Sequence, residues 1–359
     1  LKTDIEHVHL KRVSRWKFYI VGLLIAFVVI LFLSLNLGYS PIPYSDVLTT
    51  LLKQVPLLNT LVENVDISKT TEIIITQIRL PRVLCGAFVG AALATAGVIY
   101  QGIFRNPMAD PYVIGASTGA TVGSALVLVL GMGLSFFGVN TLQIFAFIGS
   151  LITVIFVYNI SRVGSRVPVT TLLLVGIAVS LFLNAIVTYL QTIASDRILH
   201  GLTFWIIGSL APTENWDKFW SILPFIVTGF AVSYLYSRNL NVLALGEEQA
   251  QHLGVETEKV KMILIVTGAL LTAAAVSISG LIGFVGLIIP HLTRVLIGPD
   301  HRVLLPTAAI VGASFLVFCD ALSRVVMGSG EAPVGILTAL SGAPFFVYLL
   351  RRKKKGYTV

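Results

Sequence analysis

Long apolar runs alternate with short polar ones along this chain, and the spacing sets the first expectation. An α-helix needs about 20 predominantly apolar residues to cross the hydrocarbon core of a bilayer. Runs near that length fall at residues 18–37, 82–102, 113–131, 142–160, 169–193, 220–237, 260–279, 281–297, 303–322 and 333–350. The pattern predicts an all-α integral membrane protein with about ten transmembrane helices. The seventh and eighth are the least sharply divided, because Val276 to Ile289 is one apolar stretch punctuated by glycine. An even number of spans puts both termini on the same side. The first run follows a basic stretch, Lys11 to Lys17, as a signal peptide would. At about 20 residues it is longer than a typical signal core, and no small-residue cleavage site is clear, so it reads as a transmembrane helix.

Composition supports this picture and adds an orientation. Hydrophobic residues make up 56% of the 359 and charged residues 12%, about half the roughly 25% charge of a soluble domain. With the N-terminus inside, the inner segments carry eighteen Lys and Arg and the outer segments seven. Basic residues concentrate on the cytoplasmic side of membrane proteins, so the arrangement reads as N-in and C-in. The net charge of +8 therefore reflects membrane orientation rather than nucleic-acid binding. Arg79, Arg82 and Arg324 oppose the trend, since all three fall at the outer edge.

The whole chain, 1–359, reads as one transmembrane domain. It has a short cytoplasmic N-terminus at 1–17, a long outer loop at 38–78 and an inner loop at 239–259. Within the inner loop, Glu247 to Leu253 is rich in helix formers and is bracketed by Gly246 and Gly254, which act as stop signals. A short exposed helix follows from that pattern, either a connector or a docking element for a cytoplasmic partner. The chain holds 31 glycines. Gly86-xxx-Gly90 and Gly115-xxx-Gly119-xxx-Gly123 suit close helix contacts, within the chain or at a dimer seam. Gly86 to Gly102 and Gly268 to Gly286 are both Gly/Ala-rich, and each precedes a proline-containing break. This is a faint duplication of the kind that inverted repeats leave in transporters.

Candidate chemistry is sparse. A phosphate-binding loop needs G-x-x-x-x-G-K-[ST], and no lysine here follows a glycine. The zinc-protease and nucleophile-elbow motifs are absent too, and the six histidines show no ligand spacing. No catalytic or metal site is expected. Cys85 and Cys319 lie in apolar runs and read as small buried hydrophobes. Asp320 is the clearest intramembrane charge, a functional candidate by default. Arg324, four residues on, shares its helix face, so the two form either a self-neutralising pair or part of a proton relay. Between the second and third runs lies a polar break, Gln101 to Pro111. Pro107 and Pro111 fix a rigid turn there, and Asp110 with the small polar residues after it suits capping of the next helix.

Several of these stretches together resemble one family. Gln77-Ile-Arg-Leu-Pro-Arg82, Arg105-Asn-Pro-Met-Ala-Asp-Pro111, Gly115-Ala-Ser-Thr-Gly-Ala120, Ala244-Leu-Gly-Glu-Glu-Gln-Ala250, Gly280 to Arg294, Asp300-His-Arg-Val-Leu-Leu-Pro306 and Pro333 to Pro344 resemble the permeases of ABC importers for iron-siderophores, haem and vitamin B12. The resemblance runs from about Arg79 to Arg351. Met108 departs from the usual leucine, and the outer loop near 50–72 is longer than usual.

The resemblance implies a ten-helix permease in the cytoplasmic (inner) membrane that moves a metal chelate by alternating access. Ferric siderophore or haem ranks first as cargo, cobalamin next, and an oxyanion last. It implies three kinds of partner: a second permease copy, identical or not, two cytoplasmic ATP-binding subunits, and an extracytoplasmic substrate-binding protein. ATP and Mg would be used by the ATP-binding subunits, and this chain would bind no cofactor and catalyse no reaction. Gly246, Glu247, Glu248, Ala250, Leu253 and Gly254 match the family's ATPase coupling helix. Arg79, Arg82 and Arg324 match outer-face arginines that dock the binding protein. Asn106 and Met108 match an inner gate, and Thr170 and Thr171 a second constriction. The competing reading is an ion-gradient-driven secondary transporter that uses Asp320.

Overall fold

The computed structural model describes residues 2–38, 41–62, 65–133, 135–136, 139–211, 216–326 and 331–354. Its architecture is helical throughout. Helix α1 (Lys2–Asn36) is followed by α2 (Tyr44–Lys53) and a short α3 (Lys69–Ile73). A π-helical segment, Ile74–Arg79, carries α3 directly into α4 (Leu80–Ile103). Then come α5 (Ala116–Val129), α6 (Thr141–Ile160), α7 (Val169–Ile193), α8 (Asp196–Ile207) and α9 (Trp216–Leu235). Two short helices, α10 (Ser237–Leu243) and α11 (Glu247–His252), precede α12 (Thr257–Ser279). Helices α13 (Val285–Ile297), α14 (His301–Val326) and α15 (Val334–Lys354) complete the chain. Among the described residues, strand pairing is limited to Ser135–Phe136 against Val139–Asn140 and a single bridge between Val163 and Arg166.

Seven helical segments are long and apolar enough to cross a membrane: Trp16–Asn36, Lys69–Ile103, Thr141–Ile160, Val169–Ile193, Trp216–Leu235, Thr257–Ser279 and His301–Val326. Ala116–Val129 and Val285–Ile297 are shorter apolar helices, and α15 opens with the apolar stretch Val334–Val347. The shortness of α5 and α13 has local causes. Gly115 takes φ +84 at the start of α5, after the turn fixed by Pro107 and Pro111. Phe284 takes φ +69 at the start of α13, after Gly280 at φ +65. At 1.5 Å per residue, α5 and α13 reach only about 20 Å, less than the roughly 30 Å of hydrocarbon. Non-helical backbone next to such short helices is tolerated near a bilayer where protein surrounds it. Asp110 Oδ1 accepts from the Tyr112 amide at 2.8 Å, and the Tyr112 hydroxyl donates to the Ile282 carbonyl at 3.0 Å. These bonds tie the two irregular stretches together.

The outer loop expected at 38–78 is in large part helical. It holds α2, and from Lys69 onward it belongs to the run that continues into α4. Ser68 starts that run by accepting from the Thr71 amide at 3.1 Å, an N-cap that satisfies one otherwise orphaned donor. Arg79 and Arg82 therefore sit inside one membrane-length helical run, Lys69–Ile103.

Helices α4 and α12 form the centre of the bundle and are almost wholly buried, whereas α1 and α7 are exposed along most of their length. Glycine permits the tight central contacts. A Cβ on Gly90 would overlap the Gly312 carbonyl of α14, and one on Gly97 would overlap the Gly286 carbonyl of α13. Gly119 and Gly123 meet the α6 backbone in the same way, at Gly149 and Phe145. The small-residue repeats thus pack helices of one chain against each other, as close backbone approach requires.

Candidate functional site

The sequence-derived candidates gather at the two ends of the bundle. At one end lies α11. It has the predicted bounds, with Gly246 at φ +126 before it and Gly254 at φ +82 after it. Ala250 is fully buried and anchors the helix. Glu248, Gln249 and Gln251 face outward. Leu245 and Leu253, each 64% exposed, flank the helix with apolar surface. An acidic ridge between two exposed leucines is the kind of surface that a protein partner covers.

Lys261 fastens this helix to the rest of the molecule. It lies on α12 and is 2% exposed. Its Nζ is 3.1 Å from Glu247 Oε1 and 2.7 Å from Glu258 Oε1, and it donates to the Val167 carbonyl at 3.2 Å. Glu258 Oε2 in turn accepts from the Val167 amide at 3.0 Å. One buried ammonium thus joins α11, α12 and the turn that leads into α7. Sequence reading counted Lys261 only as an inner-segment charge. The signal that could have marked it was Glu258 three residues before it, on the same helix face.

A cavity of about 470 Å³ opens between these parts, lined by Arg105, Arg166, Thr170, Gly246, Glu247 and Glu248 among others. Thr170, a gate candidate, therefore shares a wall with the coupling-helix candidates. Thr171, the next residue of α7, is half-buried. Asn106 and Met108 follow Arg105 on the loop between α4 and α5. Asn106 Oδ1 accepts from the Met108 amide at 3.0 Å, a side-chain turn that holds the loop. On the same loop, burial pushes the Asp110 carboxyl up to about 6. Beyond it, a cavity of about 490 Å³ lies between α5 and α7, lined by Asp110, Ser117, Thr118, Ile177, Ser180 and Leu181 among others. Its walls are small and weakly polar on one side and apolar on the other.

At the opposite end, the three arginines are buried and engaged within the chain. Arg82 holds Asp320 through Nε at 3.0 Å and Nη2 at 2.9 Å, and Glu331 through Nη1 at 2.7 Å. Arg324 reaches Asp320 Oδ2 at 3.3 Å, the Leu37 carbonyl at 2.9 Å and Ser34 Oγ at 2.6 Å. Arg79 donates to the carbonyls of Leu35 and Asn36 at 2.7 and 2.8 Å. Arg79 thus satisfies two of the last carbonyls of α1, which have no partner inside their own helix, and Arg324 holds the residue just beyond it. Each of the three is under 10% exposed, with these polar contacts made inside the chain. Asp320 is paired with Arg82 as well as with Arg324, the neighbour that helix spacing suggested.

These features define a class: a multi-pass helical membrane protein, with a weakly polar cavity between helices and a partner-sized exposed helix at one end. The chain belongs to the FecCD transport family, which it matches over residues 25–352. It is 45% identical over 288 residues to the cobalamin import system permease of Halobacterium salinarum, covering 80% of this chain and 76% of that one. It is 41% identical over 280 residues to the hemin transport system permease of Yersinia pestis, covering 78% and 83%. Its fold is similar to a solved structure described as an inward-facing conformation of a metal-chelate type ABC transporter, with a TM-score of 0.79 and 34% identity, over 93% of this chain and 98% of that one.

Proposed function

We propose that this chain is the membrane-spanning subunit of an ATP-driven importer for a metal chelate. All of residues 1–359 act as one permease domain in the cytoplasmic membrane. The seven long and three short apolar helices cross it ten times, with both termini inside. The observation that carries the reading is the connection from α11 through Lys261 to the start of α7. A partner that pushes on the exposed face of α11 moves Glu247, and the Lys261 cluster passes that displacement to Val167 and on to Thr170 and Thr171. Asn106 and Met108 sit close by on the loop that would form the inner gate. ATP and its Mg belong to two cytoplasmic partner subunits, so the chain supplies a lever and a pathway and no catalytic group or cofactor site.

The cargo is a ferric siderophore or haem by the family reading, with cobalamin next. The relatives that import cobalamin and hemin support both. The exposed face of α7 beside the cavity between α5 and α7 supports a second permease copy that completes the pathway. An extracytoplasmic binding protein would deliver the chelate. Arg79, Arg82 and Arg324 contribute to its docking by fixing the shape of the outer rim, through the bonds that hold α1, α4 and α14 together. An ion-gradient mechanism at Asp320 is less well supported, because a relay carboxylate needs access to water and Asp320 is 1% exposed between two guanidiniums.

The test is uptake into proteoliposomes by the complex co-purified from native membranes, offered radiolabelled cobalamin, haemin and a ferric hydroxamate in turn. ATP-dependent accumulation of one of them is expected. Glu248→Lys with Leu253→Asp alters only exposed groups and should abolish uptake while the chain remains folded. Lys261→Met should uncouple ATP hydrolysis from uptake, and Lys261→Arg should retain coupling. Accumulation driven by a proton gradient without ATP would overturn the reading.

A further inference from the structure

A second cavity at the α11 end shares Arg105 with the first, whose wall also holds Glu247 and Glu248. It measures about 440 Å³ and is lined by Gln101, Arg105, His291, Arg294, Val295 and His301 among others. Its wall carries two arginines and two histidines and no carboxylate. Arg294 is largely enclosed, yet its only polar contact among the described residues is with the neutral Gln101 Oε1, at 3.2 Å. Arg105 makes no ion pair or side-chain hydrogen bond among the described residues.

His301 is 3% exposed. Its Nδ1 lies 2.7 Å from Asn241 Oδ1, while its Nε2 has no partner among the described residues and faces Gly102, another lining residue. The nearby Asp300 does not neutralise the cavity, since its carboxylate is held by Arg302 at 2.6 Å and by Asn241 at 2.8 Å. The C-terminal ends of α4 and α13 each bring only about half a negative charge, which leaves the two guanidiniums in excess. Arg294 is half-buried, so an anion would relieve part of its desolvation cost, and it has donors to spare.

We propose that this cavity binds the phosphate of an anionic phospholipid headgroup, with Arg294 and Arg105 as the charged donors and His301 at the back. The choice of lipid over a soluble anion rests on Val295 and Leu296. These are 67% and 57% exposed and form an apolar flank where acyl chains would lie beside the headgroup. Basic pockets between transmembrane helices at a bilayer surface recognise anionic headgroups in this way. The assignment does not depend on the nature of the transported cargo or on the ATPase partner.

Native mass spectrometry of the purified full chain in detergent tests it, with phosphatidylglycerol and phosphatidylcholine of matched acyl chains as probes. Phosphatidylglycerol adducts should dominate, and neutralising either arginine should weaken them about fivefold. Arg105→Gln changes an exposed side chain, so it remains informative if Arg294→Gln fails to fold. Arg294→Lys should retain binding. Equal capture of phosphatidylcholine, or unchanged adducts in Arg105→Gln and Arg294→Gln, would overturn the site. Displacement of bound lipid by millimolar inorganic phosphate would overturn the lipid assignment in favour of a soluble anion.

Discussion

Lys261 is a basic side chain at 2% exposure, so its neighbours decide whether the fold tolerates it. Two carboxylates and a carbonyl surround it, and the same groups bind α11 and the turn before α7. Stability and force transmission thus rest on one residue. Asp110 is the other residue whose environment sets its behaviour. Its carboxyl titrates near 6 rather than 3.8 because burial disfavours the charged form. The folded state therefore binds a proton more readily than the unfolded one over that interval, and stability declines as pH rises from about 4 through about 6. Thermal unfolding of the detergent-solubilised protein across that range should show the decline. Asp110→Asn should flatten it, because the amide keeps the acceptor for the Tyr112 amide and cannot ionise.

Among the elements, α1 depends most on borrowed partners. Its described side chains are largely exposed, and its last turn is held by Arg79 and Arg324 from α4's run and from α14. Arg82 completes that junction by pairing with Asp320 and Glu331. Arg82→Leu would leave Asp320 with Arg324 alone and a buried charge only partly compensated. A loss of about 3–5 kcal/mol is expected for breaking such a pair, read as a lower unfolding midpoint. An unchanged midpoint would show that the junction is not a staple. The brevity of α5 and α13 also belongs to this scale. The hydropathy of both stretches was plain in the sequence. Where their helices begin was not, because that depends on positive φ angles at Gly115 and Phe284 and on hydrogen bonds between distant loops.

For the whole molecule, the exposed α7 and the cavity beside it call for a neighbour. The complex purified from native membranes should contain two permease copies, measured by native mass spectrometry. A single copy would leave the cavity between α5 and α7 open to lipid and would sink the proposed pathway.

Much of this was legible in the residues. Hydrophobic run length depends on the solvent alone, so the apolar segments, their order and the family resemblance followed from sequence. The α11 boundaries followed too, because glycine and helix propensity are local. Tertiary structure alone decided which charges meet. Arg82 lies 238 residues from Asp320, Arg294 lies 193 from Gln101, and Val167 lies 94 from Lys261. Low dielectric makes an unpaired buried charge costly, but sequence spacing cannot say which partner relieves it. That is why the sequence showed the outer arginines only as charges against the trend, and the fold shows the partners they hold within the chain.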